Sequence, residues 1–305
     1  MKYNKIILAG GSGYLGSVLA KHFSAQANEL IIFTRNPKPT EGNIKMVHWN
    51  GSTIGEWAQH LESSDVLINL TGKSVNCRYT EENKAEIFSS RLKATWILGE
   101  ALKQTKNKPK VWLNAASATI YRHAEDRPQD EYTGEIGEGF SIEVCKQWEK
   151  AFNDVVVPGI RKVILRISVV LGSYGGVASY YLNLAKYGLG GIQGDGKQYF
   201  SWVHEDDLTS TVDFLLDHPE LDGAFNIASP YPIQNHELMR VVRKAVGVPF
   251  GLPATKWMLE IGTRLLQTET ELILKSRWVL PARLQEAGYQ FKVPYVKEAI
   301  EKSIK

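Results

Sequence analysis

The chain is short of several features that would commit it to a class. It has two cysteines, Cys77 and Cys145, in 305 residues. Two cysteines make no disulfide framework, and no metal-ligand cluster accompanies them. That scarcity fits a reducing, cytoplasmic compartment. Neither sign of charge dominates: 36 Lys and Arg stand against 33 Asp and Glu, a formal net charge of +3. With no basic run, this argues against a nucleic-acid partner. No uncharged stretch approaches the ~18–20 residues of a membrane span, so no membrane partner is expected. The N-terminal apolar run is far too short for a signal peptide. Low-complexity segments and internal repeats are missing too. What remains is a globular chain, 43% hydrophobic and 10% aromatic, long enough for one or two domains. Nothing in it demands or excludes a homodimer.

The stretch with most to say is Ala9-Gly10-Gly11-Ser12-Gly13-Tyr14-Leu15-Gly16. A short apolar run, Ile6 to Ala9, precedes it. A helical pattern follows, with Leu15, Val18, Leu19 and Phe23 on one face. The context is strand, glycine turn, helix. A helix N-terminus leaves backbone N–H groups unpaired, and its dipole favours an anion there by ~0.3–1 kcal/mol. Glycines at 10, 13 and 16 let the chain turn sharply and let a pyrophosphate approach the backbone.

Glu29–Thr34 reads as the second strand. An NAD binder places an Asp or Glu about 20 residues after the glycines, to take the ribose 2′-OH. Here Thr34, Arg35 and Asn36 end the strand, with no acid. Arg35 can pair with a 2′-phosphate and stack on adenine, which points to NADP(H). Ile44–Trp49 is a third strand. Asp65–Leu70 is a fourth, apolar throughout its centre as a strand buried on both faces should be, ending in Thr71-Gly72-Lys73. A long helix follows over Glu81–Lys103. Val111–Ala116, a helix over Ile142–Phe152, and Lys162–Val170 complete the alternation, with Val144, Trp148 and Phe152 spaced for burial. Alternating strands and helices of this length mean a doubly wound parallel sheet. From Leu171 the texture changes. Glycine-rich loops at 172–176 and 188–196 flank a helix over Ala178–Tyr187. Then come a strand at Phe200–Val203, a helix at Asp206–Leu216, a strand at Phe225–Ala228, and a helix at Asn235–Val246 with Asn235 as N-cap.

With these pieces placed, the whole chain resembles the extended short-chain dehydrogenase/reductase superfamily. The glycine turn is similar to that superfamily's GGTGFIG motif. Ser117-Ala118-Thr119-Ile120-Tyr121 is similar to its S-A-T-V-Y segment, and Trp202-Val203-His204-Glu205-Asp206-Asp207-Leu208 to its V-H-V-D-D segment. More closely, the chain resembles the YfcH-like "epimerase family" branch. That resemblance rests on Asn69-Leu70-Thr71-Gly72, Ser89-Ser90-Arg91, Val144–Glu149 and Gly194–Trp202. It rests also on Ser276–Leu284 and Glu286–Tyr289, which look like the branch's own tail domain. It implies an NADP(H)-binding Rossmann-type domain over 1–170, to which 200–230 returns, and a smaller, mainly helical C-terminal substrate domain over 171–305.

The superfamily's chemistry runs on Tyr-x-x-x-Lys with a Ser or Thr. Residues four apart share a helix face, so the lysine lies beside the tyrosine and helps lower its pKa from ~10. Ser117 matches the serine. The pair is missing: Ser141 falls at the tyrosine position and Cys145 at the lysine position, and no tyrosine has a lysine four residues on. Lys146 lies about 100° around the helix from the required face.

Gly10, Ser12, Gly13, Tyr14, Leu15, Gly16, Thr34 and Arg35 would bind the adenosine and phosphate end of the cofactor. Leu70, Thr71, Gly72, Ala115, Ala116 and Ile167 would line its path to the nicotinamide. Arg91, on the long helix, reads as a cofactor or salt-bridge residue. Ser117 would orient a small-molecule substrate, with Tyr121 the candidate acid/base; packing is an equal alternative for Tyr121. Lys73 and Arg78 could bind an anionic substrate or be solvated loop charges. Phe200 and Trp202 could wall a pocket or belong to the core. His204 could be an acid/base on the substrate side, or a hydrogen-bonded histidine heading the next helix. Cys145 reads as inert core. The expected activity is hydride transfer on a small carbonyl or hydroxyl compound. The alternatives are a non-catalytic NADP(H)-sensing regulatory protein and a nucleotide-sugar epimerase or dehydratase.

Overall fold

The computed structural model describes residues 1–173, 176–265 and 267–304; Tyr174 and Gly175 of the first glycine-rich loop, and the Leu265 side chain, fall outside the description. The N-terminal part runs β1 (Tyr3–Ala9), α1 (Tyr14–Ser24), β2 (Ala27–Thr34), β3 (Ile44–His48), β4 (Val66–Asn69), α2 (Glu81–Gln104), β5 (Val111–Ser117), α3 (Phe140–Asp154) and β6 (Arg161–Ile167). The chain continues through β7 (Val169–Leu171), α4 (Ala178–Lys186), β8 (Tyr199–Phe200), β9 (Trp202–His204), α5 (Glu205–Asp217), β10 (Gly223–Ile227), β11 (Ile233–Gln234) and α6 (Asn235–Ala245). It closes with α7 (Lys256–Leu265), α8 (Glu271–Leu274), α9 (Ala282–Glu286) and α10 (Val296–Lys302).

The central sheet is parallel, in the order β10-β6-β5-β4-β1-β2-β3. Both faces are covered, and β1 shows how. Ile6 and Leu8 pack with Leu19 and Phe23 of α1, while Ile7 and Ala9 pack into a second cluster with Leu98 of α2 and Phe152 of α3. Successive strand residues point to opposite faces, so a strand buried on both sides must be apolar at every position. The order reverses between β1 and β4. Such a switch point opens a crevice at the carboxyl ends of the strands, where α/β sheets bind ligands.

Two strands differ from the sequence expectation. The run from Lys162 to Val170 is one apolar stretch but not one strand. It stops at Ile167, where Ser168 N–H donates to the Ile227 carbonyl, and β7 leaves the sheet to pair with β9. Phe200–Val203 is likewise divided. Ser201 is buried between β8 and β9, its Oγ donating to the Arg277 carbonyl (2.7 Å) and accepting from Val279 N–H (2.8 Å). Asn235 is the first residue of α6 rather than its N-cap. Its side chain holds both the backbone and the side chain of Gln193 in the glycine-rich loop.

The tail has its own core, in which Trp202, Leu238, Met239, Val293 and Ile300 meet. It is joined to the sheet by β10 on β6 and by α5 against α1. Among the described residues no helix is long and apolar enough to cross a membrane, and no cluster of three or more His, Cys, Asp or Glu could hold a metal ion.

Candidate active site

The glycine turn passes from β1 into α1 at the switch point. Gly10 has φ +73°, and a Cβ there would meet Thr71 Cα at 2.7 Å. A Cβ on Gly16 would collide with the Gly11 carbonyl. These two glycines are required by the backbone itself. Gly13 is different: its φ is an ordinary −86°, and nothing among the described residues lies within 4 Å of a Cβ placed there. It is the N-cap of α1 and supplies no side-chain cap, so no cap side chain bonds the first N–H groups of the helix. Ser12 is exposed beside it, and Leu15 is half-buried. The Tyr14 hydroxyl turns away to donate to Glu205 Oε2 of α5 at 2.8 Å. Burial and that carboxylate both push its pKa up.

At the end of β2, Thr34 is buried and its Oγ1 accepts from Asn36 N–H, while Arg35 is exposed. The ends of β4 and β5 are shaped by a buried polar network. Asn69 Nδ2 donates to Asn114 Oδ1 (2.7 Å) and Thr95 Oγ1 (3.2 Å), and Asn69 Oδ1 accepts from Thr71 N–H. Trp148 Nε1 joins the same threonine. This network fixes the Thr71-Gly72 turn. Leu70 and Thr71 are half-buried, and the Thr71 Oγ1 is sealed without a partner. Ala115 and Ala116 are buried on opposite faces of β5, and Ile167 ends β6 beside Ser117. Arg91 lies against Gly72, with its guanidinium 5.0 Å over the Trp148 ring and Nη1 donating to the Ile87 carbonyl. It has no carboxylate within 4.0 Å among the described residues, so it is not the salt-bridge residue the sequence allowed. Burial lowers its pKa.

The chemical end is assembled from four separate segments. Ser117 closes β5; its Oγ accepts from Thr119 N–H, which leaves the hydroxyl proton free to donate. On α3, Ser141 donates to Glu271 Oε2 of α8 at 3.1 Å and lies 3.3 Å from the Tyr79 hydroxyl. The Tyr79 ring packs on Phe140, and burial raises its pKa. Lys275 and Arg277, beyond α8, both reach Thr119: Lys275 Nζ donates to its carbonyl (2.7 Å) and Arg277 Nε to its Oγ1 (3.2 Å). Burial, with Arg277 adding to it, brings the Lys275 pKa down to about 8. Cys145 is buried among Ala118, Ile120, Tyr121 and Val279, and desolvation pushes its thiol up to about 12. A thiol held protonated and sealed in this way is an unreactive part of the core.

Sequence reasoning missed Tyr79, Glu271, Lys275 and Arg277. The available signal was indirect: a catalytic helix without its usual pair, in a chain carrying an additional tail segment that includes Ser276-Arg277.

Several expected site residues lie elsewhere. Tyr121, the candidate acid/base, is 2% exposed. Its hydroxyl donates to Asn226 Oδ1 (3.1 Å) and accepts from Arg166 Nη1 (2.8 Å). Arg166 in turn makes a two-pronged pair with Glu149 of α3 at 2.8 Å. Burial alone would lower the Arg166 pKa; the Glu149 pair overrides it and keeps the guanidinium charged. Tyr121 is therefore a packing residue. Trp202 is fully buried in the tail core and walls no pocket; Phe200 is half-buried edge-on against Tyr181. His204 caps α5, its Nδ1 accepting from Asp206 N–H, and burial lowers its pKa. At 2% exposure it is structural rather than a substrate contact. Lys73 is taken by Asn83 and Glu86 of α2. Arg78 is paired with Glu269 and the Thr268 carbonyl, so it fastens the tail to the sheet and is not free for an anion.

This arrangement is a Rossmann-type dinucleotide-binding fold of the extended short-chain dehydrogenase/reductase kind, with a tail domain seated over the carboxyl edge of its sheet. The chain belongs to the NAD dependent epimerase/dehydratase family, whose profile matches residues 6–228. A domain of unknown function, DUF1731, matches residues 254–303. The chain is 29% identical over 303 residues to the epimerase family protein YfhF of Bacillus subtilis, covering 98% of this chain and 97% of that protein. It is 29% identical to the chloroplastic SDR39U1 homolog of Arabidopsis thaliana, covering 97% of this chain and 85% of that one. Among solved structures it is similar to human SDR39U1 with NADPH, with TM-score 0.86 and 26% identity over 98% of this chain and 99% of that chain.

A nicotinamide dinucleotide, which the family implies, fits the residues present. The uncapped end of α1 offers N–H groups to a pyrophosphate, and the open face at Gly13 gives it room to approach.

Proposed function

We propose that the protein binds NADP(H) and transfers a hydride between it and a small carbonyl or hydroxyl substrate. Arg35 would pair with the 2′-phosphate, the Gly13 face of α1 would receive the pyrophosphate, and Ser117 would donate a hydrogen bond to the substrate oxygen. When bound, the cofactor would give or accept the hydride; the chain would orient the substrate and give or take the proton.

The observation that carries this reading is the hydrogen-bonded line Tyr79–Ser141–Glu271, which passes through the vacant tyrosine position at Ser141. Ser141 donates to Glu271, so its oxygen accepts from Tyr79. In the oxidation direction the substrate proton passes to the Tyr79 oxygen as the Tyr79 proton moves through Ser141 to Glu271. Reduction runs the same line in reverse. Tyr79→Phe and Glu271→Gln should each lower kcat by about 100-fold, in line with the loss of a positioned acid/base, while NADPH affinity is unchanged. The assay is NADPH oxidation against a panel of carbonyl compounds. Unchanged turnover in both variants would remove the relay.

The missing superfamily pair favours a second reading, a protein that retains NADP(H) without turnover. Tight NADPH binding with no oxidation by any member of the panel would select it.

A further inference from the structure

Lys275 and Arg277 stand two residues apart, and both are directed onto Thr119, two residues beyond Ser117. Neither has a carboxylate within 4.0 Å among the described residues. The acid acting electrostatically on both is Glu271, whose carboxylate already accepts from Ser141. Cations removed from water without a counter-ion are costly, and a bound anion supplies what is missing. Donors remain for it. One of the three Lys275 N–H groups is used, and Arg277 uses Nε and Nη1, leaving Nη2 without a partner among the described residues. Space is at hand as well. A cavity of about 370 Å³ opens against Lys275, with Arg122, His123, Glu138 and Glu271 also in its wall; Arg277 lies outside this lining. Its wall includes the N-terminus of α3, where Gly139 provides no side-chain cap.

We propose that Lys275 and Arg277 form a recognition site for a carboxylate or phosphate carried by the substrate, so that the tail domain selects small anionic carbonyl or hydroxyl compounds. This rests on the oxidoreductase reading, because the two cations are held at Thr119, two residues beyond the Ser117 proposed to hold the substrate oxygen. The other role open to the two residues is to brace the Thr119 loop, and that role needs no ligand.

The test is calorimetric titration of the NADPH-saturated protein with malonate and, separately, with inorganic phosphate. Saturation with NADPH occupies the phosphate sites of the cofactor end. One anion should bind, malonate indicating a carboxylate and phosphate a phosphoryl group. Lys275→Met and Arg277→Gln should each weaken it about tenfold or more, and Arg277→Lys should recover part of the loss. NADPH affinity should be the same in all three, as it should in Lys146→Met, an exposed control on α3. If neither anion binds, or if Lys275→Met and Arg277→Gln bind it as the wild type does, the two cations are only braces. If a substitution impairs folding, as judged by lost NADPH binding, Lys275→Gln and Arg277→Lys carry the same comparison. Failure of the wild type to bind NADPH would overturn the cofactor reading instead. The titration without cofactor, set beside Arg35→Ala, would still decide whether the tail site exists.

Discussion

The two ends of the candidate site are built in opposite ways. The cofactor end is one contiguous stretch, Gly10–Gly16, with the end of β2 beside it, and it works through backbone N–H groups and missing side chains. The chemical end joins Tyr79, Ser117–Thr119, Ser141 and Glu271–Arg277, nearly two hundred positions apart, and works through side chains. The first is specified by local geometry, where three glycines and a helix start suffice. The second exists only once the tail has docked on the sheet, with Arg78 and Glu269 among the fastenings.

The sharpest way to break the comparison is within the glycine turn. Gly16→Val would drive side-chain atoms into the Gly11 carbonyl, and should destabilise the fold by about 5 kcal/mol or more in urea unfolding. Gly13→Ala meets nothing and keeps an allowed φ, so its stability should change by about 0.5 kcal/mol or less while NADPH affinity falls. Equal effects of the two on stability would mean that Gly13 is also structural.

Next in size is the buried ion pair between α3 and β6. Glu149→Gln leaves Arg166 buried without its counter-ion, and should cost about 3–5 kcal/mol in denaturant unfolding. A loss well below that would show water reaching the pair.

Lys275 should behave in the opposite sense. Its pKa is lowered in the fold to about 8 from 10.5, so between those values the unfolded chain binds more proton than the folded one. Wild-type stability should therefore rise as pH goes from 8 to 10.5, and the burden should be fully present below 8. Lys275→Met removes that burden and also the bond to the Thr119 carbonyl, for a net gain of roughly 1–2 kcal/mol at pH 7 that fades by about pH 10.5. Urea midpoints across pH read this directly. A destabilised variant would mean the lysine is held chiefly as a brace.

The smallest expected effect is at the exposed rim. Arg35→Ala should leave stability unchanged and reduce the preference for NADPH over NADH about tenfold, by equilibrium binding. An unchanged preference would remove the 2′-phosphate role.

How much was legible follows from this difference in construction. The glycine turn, the acid-free end of β2 and the doubly buried β4 are written in neighbouring residues, and the strand and helix periods mark them. The break at Ser168 was hidden because β6 and β7 form one apolar run, and only the partner of Ser168 N–H on β10 divides them. Tyr121 and His204 were ambiguous for the same reason. A tyrosine at a strand's carboxyl edge and a histidine before a helix look alike whether they meet substrate or core. Arg166 with Glu149 settles the first, and the cap on α5 settles the second.

By itself the sequence determined the sheet, the dinucleotide turn and the vacancy at Ser141 and Cys145, because each depends on residues within a few positions of one another. Only the tertiary structure decided which side chains surround that vacancy. The Glu271–Arg277 segment meets Tyr79, Thr119 and Ser141 only because the tail packs against them, and no sequence spacing links these segments.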